Sequence, residues 1–125
     1  MPKLRGSTGN CMQSIGKKGE EFARKYLEQE GYEVMEQNWR FKKSEIDLIA
    51  KHNHCLVFFE VKTRSQTYFG QPESFVTENQ QAAIFRGAEQ YLIEKEWQGD
   101  IRFDVLAIHW QGAQSELTHL KDAFY

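Results

Sequence analysis

Four charged side chains lie inside two of the most apolar stretches of this chain: Glu45 and Asp47 in SEIDLIA, Glu60 and Lys62 in CLVFFEVKTR. Both stretches are rich in Ile, Leu, Val and Phe, which favour strands. A strand buried on both faces excludes charge, and one that faces water alternates more evenly. Charges in such places are tolerated when they are paired or hold a metal. Carboxylates are hard oxygen ligands. Mg²⁺ keeps several waters, so one or two carboxylates and a backbone carbonyl suffice to bind it, and Mn²⁺ is the natural substitute. A lysine beside such a cation steadies a hydroxide or a phosphorane-like transition state. The chemistry of that combination is phosphodiester hydrolysis, with the metal activating water and neutralising charge on the phosphate oxygens.

The elements that must position these groups follow from spacing. A two-residue turn at Asn53-His54 sets Asp47 directly across from Glu60, and Glu45 across from Lys62. All four then project from one face, with Ile46, Leu48, Phe59 and Val61 on the other. Two carboxylates directly opposite repel each other, which a divalent cation relieves. The expected metal set is Asp47, Glu60 and the backbone of Val61, with Lys62 beside it. Spacing alone leaves a second reading open, a cross-strand ion pair between Glu45 and Lys62 with Asp47 exposed.

A helix is predicted from about Ser14 to Glu30, with Ile15, Phe22, Ala23, Tyr26 and Leu27 at helical spacing and Gly31 as its stop. Glu20 falls at the border of that apolar stripe and Glu21 nearly opposite, so Glu20 is placed to add a third carboxylate, directly or through water. GKKG at 16–19 lacks the length and the Ser/Thr of a phosphate-binding loop and reads as the helix start. Strands are expected at 32–40, 44–50 and 55–64, then a loop at 68–74. A second helix opens with Thr77 and Gln80 as a capping box, and its stripe is Ile84, Ala88, Tyr91 and Leu92. Strands at 101–110 and 116–120 complete an α/β domain with a mixed sheet of about five strands covered by helices.

Composition narrows the class. The 125 residues suit one compact domain, 12–125, preceded by a loose arm at 1–11 that contains Gly6, Ser7, Thr8, Gly9 and Asn10. No apolar run approaches a membrane span and MPKLRGSTGN lacks a signal-peptide core, so a cytoplasmic protein without membrane contact is expected. Cys11 and Cys55 are too few for a disulfide framework. A net charge of −2 gives no global attraction to nucleic acid, so any such contact relies on local patches. One candidate patch is Arg40, Lys42 and Lys43, another the basic residues of 1–18; solvated loops explain either equally well. KHNHC offers His52, His54 and Cys55, but no second ligand pair at zinc spacing follows, and a polar hairpin turn accounts for the histidines. Trp39, Tyr68 and Phe69 are placed either to stack on bases or to pack in the core.

At these residues the sequence also resembles a known pattern. Asp47 followed by Glu60-x-Lys62, behind a helix bearing Glu20, resembles the core of the PD-(D/E)xK nucleases. More narrowly, GKKGEEFARKYLEQEGYEVMEQNWR, SEIDLIA, FFEVKTR, YFGQPESFV, RFDVLAI and KDAF, over about residues 14–124, resemble the bacterial YraN-type family, regarded as endonucleases similar to Holliday junction resolvases. The resemblance implies a restriction-endonuclease-like fold, Mg²⁺ dependence and a DNA substrate. It makes Glu20 the helix acid, Asp47 and Glu60 the metal ligands and Lys62 the catalytic lysine. Two positions depart from the family. Ser44 stands where Gly is usual, which is expected to alter only a turn, and Gln80 stands where a helix-start Lys that touches DNA is common. Asp104 in RFDV matches a family motif and is expected to be a buried, hydrogen-bonded structural acid.

The expected function is a metal-dependent endonuclease cutting DNA, branched or otherwise structured, with dimerisation expected because cutting two strands symmetrically takes two sites. The alternative is a nucleic-acid-binding module that keeps the fold and does not cleave. A partner-binding scaffold is the third reading.

Overall fold

The computed structural model describes residues 11–64, 76–111 and 114–124. Helix α1 (Cys11–Gln29) is followed by strands β1 (Glu33–Phe41), β2 (Ser44–His52) and β3 (Cys55–Arg64), helix α2 (Glu78–Lys95), and strands β4 (Asp100–Gln111) and β5 (Gln114–Leu120). The strands form one sheet in the order β1-β2-β3-β4-β5. Only the central β3–β4 pair is parallel; the other three are antiparallel. This is the expected α/β arrangement of the restriction-endonuclease-like class. The expected arm and the 68–74 loop, with Tyr68 and Phe69, fall outside the described residues, except that Cys11 already belongs to α1. Among the described residues no helix is long and apolar enough to cross a membrane.

Each sheet face carries a helix. On one, Ile49, Phe58, Phe103 and Val105 pack with Ile84, Ala88 and Tyr91 of α2. On the other, Leu48, Ala50, Val57, Phe59, Leu106 and Ile108 pack with Ala23 and Leu27 of α1. The central strands are thus covered on both sides, which is why their sequences run nearly unbroken in apolar residues. Each fully buried Leu, Val or Phe contributes about 1.5–3 kcal/mol.

One local expectation changes and another holds. GKKG does not open α1 but lies within it, because Gly19 is buried where the helix comes closest to the sheet. A Cβ there would run into the Thr63 side chain and sit 3.7 Å from Ile108 Cδ1, so the glycine sets the approach. The capping box of α2 forms as expected: Gln80 N donates to Thr77 Oγ1 at 3.2 Å, and Thr77 N donates to Gln80 Oε1 at 3.0 Å. Gln80 therefore has a structural task as one half of that capping box.

The hairpin register is also as expected, from His52↔Cys55 to Leu48↔Phe59. There the described β2–β3 ladder ends, while β3 continues alongside β4 to Arg64. The sheet opens into a fork at Asp47 and Glu60.

Candidate metal centre

The single common face expected for the four charges needs correction. Leu48, Phe59 and Val61 pack on the α1 side, but Ile46 packs on the α2 side with Trp39. Strand alternation breaks between them. Trp39 pairs with Ile46 and Gln37 with Leu48, which leaves Asn38 and Asp47 abreast at the break. Asn38 absorbs the twist with φ +52°, a left-handed backbone that Asn adopts more readily than most residues. Asp47 turns its carboxylate into the fork, where Val61 N donates to its Oδ2 at 2.8 Å. A side-chain acceptor thus serves a backbone donor at the point where the neighbouring strand leaves it.

Glu60 and Lys62 stay together. Lys62 Nζ lies 3.2 Å from Glu60 Oε2, and each side chain is only 14% exposed. Glu45 instead meets Arg40 at 3.5 Å in an open pair. The Glu45–Lys62 ladder is therefore not what forms, and Asp47 is half-buried. Burial, then the Glu60 charge, with smaller contributions from Glu20 and Glu45, pushes the Asp47 carboxyl up to about 7 against the lowering effect of the Val61 N–H. Burial also raises Glu60, opposed by Lys62 and reinforced by Glu45. Two acids that are hard to ionise side by side are a poor choice for stability alone.

Glu20 is half-buried and Glu21 exposed, as their helical positions require. Its charge reaches Asp47, but its hydrogen bond goes to Asn38, whose Nδ2 donates to Glu20 Oε1 at 3.3 Å. Both line an open cleft of about 410 Å³ with Arg24, Lys25, Glu28 and Gln37. Asn38 was not evident from the spacing of acids; its one signal is an Asn inside a strand pattern, where that residue is depleted.

The donors suit a hard cation. Asp47 and Glu60 offer only oxygen, and a divalent ion between them would relieve their mutual repulsion. Among the described residues no three His, Cys, Asp or Glu side chains gather as a metal cage. His52 instead stacks on Tyr32, with ring centroids 4.5 Å apart.

Asp104 is fully buried, as a structural acid should be. It accepts from Arg102 Nε and Nη2 at 2.9 and 2.8 Å, and from the Asp122 N–H at 2.9 Å. His119 Nε2 lies 2.7 Å from Asp104 Oδ2, and Tyr26 Oη 2.8 Å from His119 Nδ1. Arg102 also donates to Tyr32 Oη at 2.8 Å.

Residues 19–108 match the family described as Uncharacterised protein family UPF0102. The UPF0102 protein of Christiangramia forsetii is 41% identical over 111 residues, covering 89% of this chain and 93% of its own length. That of Cytophaga hutchinsonii is 51% identical over 90 residues, covering 72% and 80%. A Clostridium perfringens UPF0102 protein is 42% identical over 114 residues, covering 89% and 93%. The matched span runs from Gly19 within α1 through α2 and most of β4, so it includes Glu20, the fork and Asp104, and the chain belongs to the UPF0102 family.

Proposed function

We propose that this chain is a divalent-metal-dependent endonuclease of the PD-(D/E)xK type acting on DNA, with branched or otherwise structured DNA as its substrate. The observation that supports this most is the crowding of Asp47 and Glu60 in the fork with Lys62 Nζ 3.2 Å from Glu60. Asp47, Glu60 and the Val61 carbonyl would hold Mg²⁺ or Mn²⁺. When bound, the ion supplies a more acidic water and neutralises phosphate charge. Asp47 is oriented by the Val61 N–H, which occupies Oδ2 and leaves Oδ1 for the site. Lys62, held by Glu60 and largely removed from solvent, places an ammonium where negative charge develops on a phosphate oxygen. Glu20, tied to Asn38, supports the site from the α1 side. Cutting both strands of a symmetric junction would draw on two copies of the chain.

A second reading is a nucleic-acid-binding module that does not cleave. The Lys62–Glu60 pair favours it, since that pair already neutralises one of the two acids. The test is incubation with supercoiled, single-stranded and four-way-junction DNA in Mg²⁺ or Mn²⁺. The wild type is expected to cut at least one of them, and a folded Lys62→Ala protein to lose 100-fold or more of that rate, about 3 kcal/mol of transition-state stabilisation. Equal cutting by Lys62→Ala removes the catalytic assignment, and binding without cutting selects the second reading.

A further inference from the structure

The β1–β2 hairpin ends in a two-residue turn, Lys42-Lys43, closed by the Phe41↔Ser44 pair. Lys42 has φ +55°, a backbone that glycine or asparagine adopts most cheaply. The β2–β3 hairpin meets the same requirement with Asn53 at φ +58°. At the first turn the chain instead places a lysine, followed by another, and both are exposed. Arg40, 74% exposed and paired with Glu45 at 3.5 Å, adds a third cation two residues before Lys42 on β1.

The tip is firmly mounted. Trp39 stands edge-on to Tyr91 of α2 with ring centroids 5.2 Å apart, and stacks with Phe41 at 6.4 Å. Ser44 is buried beside Gly87 of α2, where an added Cβ would come within 3.2 Å of it. Lys42 Nζ lies 5.3 Å from the Phe41 ring centroid. The wing also leads to the candidate centre: Arg40 pairs with Glu45, whose charge acts on Asp47 and Glu60. From Lys43 to Asp47 the strand covers roughly 13 Å. One DNA strand carries a phosphate about every 3.4 Å of helix axis, so the wing stands about four nucleotides from the fork.

We infer that the Lys42-Lys43 hairpin, with Arg40, is a phosphate-gripping wing that holds a DNA backbone about four nucleotides from the Asp47–Glu60 fork. The inference rests on the nucleic-acid part of the function proposed above and not on cleavage. A local attraction of this kind would let a chain of net charge −2 hold DNA.

The test is fluorescence anisotropy with labelled duplex and four-way-junction DNA in EDTA, across a salt series. The proteins are wild type, Lys42→Ala/Lys43→Ala, and a charge-matched control, Lys95→Ala/Lys121→Ala, whose lysines lie at the C-terminal end of α2 and in the turn just after β5. The wing variant is expected to bind about tenfold or more weakly at 0.1 M salt, with a log–log salt slope shallower by about 1.8. The control is expected to follow the wild type. A Lys42→Gly protein should bind more weakly with a Tm no lower than wild type, which separates lost contact from lost fold. Equal weakening in wing variant and control overturns the wing, as does wild-type affinity in the wing variant. A wild type that binds neither DNA overturns the wing and the nucleic-acid reading together. Binding through the wing without cutting in Mg²⁺ retains the inference and removes only the catalytic claim.

Discussion

At the scale of single residues, two buried acids behave in opposite ways. Burial alone would raise Asp104, but hydrogen bonds from His119, Arg102 and the Asp122 N–H outweigh it and hold the carboxyl below its ordinary 3.8. A depressed native value adds stability that is present above the unfolded value and lost as pH falls through the native one. Below about pH 4 the wild type should therefore lose stability more steeply than Asp104→Asn. At neutral pH the Asn protein should be less stable by about 3 kcal/mol, because the Arg102 charge loses its partner. Urea unfolding across pH checks both; parallel profiles for the two proteins would contradict the assignment. Asp104 was legible as a structural acid from its place in RFDV, but its partners were not. Arg102 stands two residues before it on the same strand, but His119 of β5 and the Asp122 N–H after β5 lie 15 and 18 residues away, and no local pattern links such positions. Asp47 lies in the other regime, raised by burial and by Glu60 with only the Val61 N–H opposing.

At the scale of elements, short-range rules read well and long-range ones did not. The Thr77–Gln80 cap was legible because both partners lie within four residues, and Thr77→Ala is expected to destabilise the protein by about 1 kcal/mol. The Asn53-His54 turn fixed the β2–β3 register for the same reason. Alternation then failed at Asp47, because the paired twist at Asn38 and the departure of β2 from β3 depend on packing against both helices. The helix contacts were equally hidden. Gly87 lets α2 lie against Ser44 and Ile46, where a Cβ would meet them at 3.2 and 3.4 Å. A Gly87→Val change should therefore cost about 2 kcal/mol by overpacking, read as a lower denaturation midpoint with an unchanged slope. A neutral result would mean that the helix can lift away from the hairpin.

At the scale of the whole molecule, β2 connects a basic hairpin tip to an acidic fork through a sheet buried on both faces. The catalytic reading requires that the fork gather a cation. Asp47 and Glu60 are pressed together in a setting that resists their shared ionisation, and a divalent ion is the partner that would reverse this. Calorimetric titration of Mn²⁺ into the wild type and into Asp47→Asn examines that point without any substrate. One ion per chain is expected for the wild type, with affinity at least tenfold weaker in the Asn protein. Equal binding by both proteins, or none by the wild type, would contradict the account.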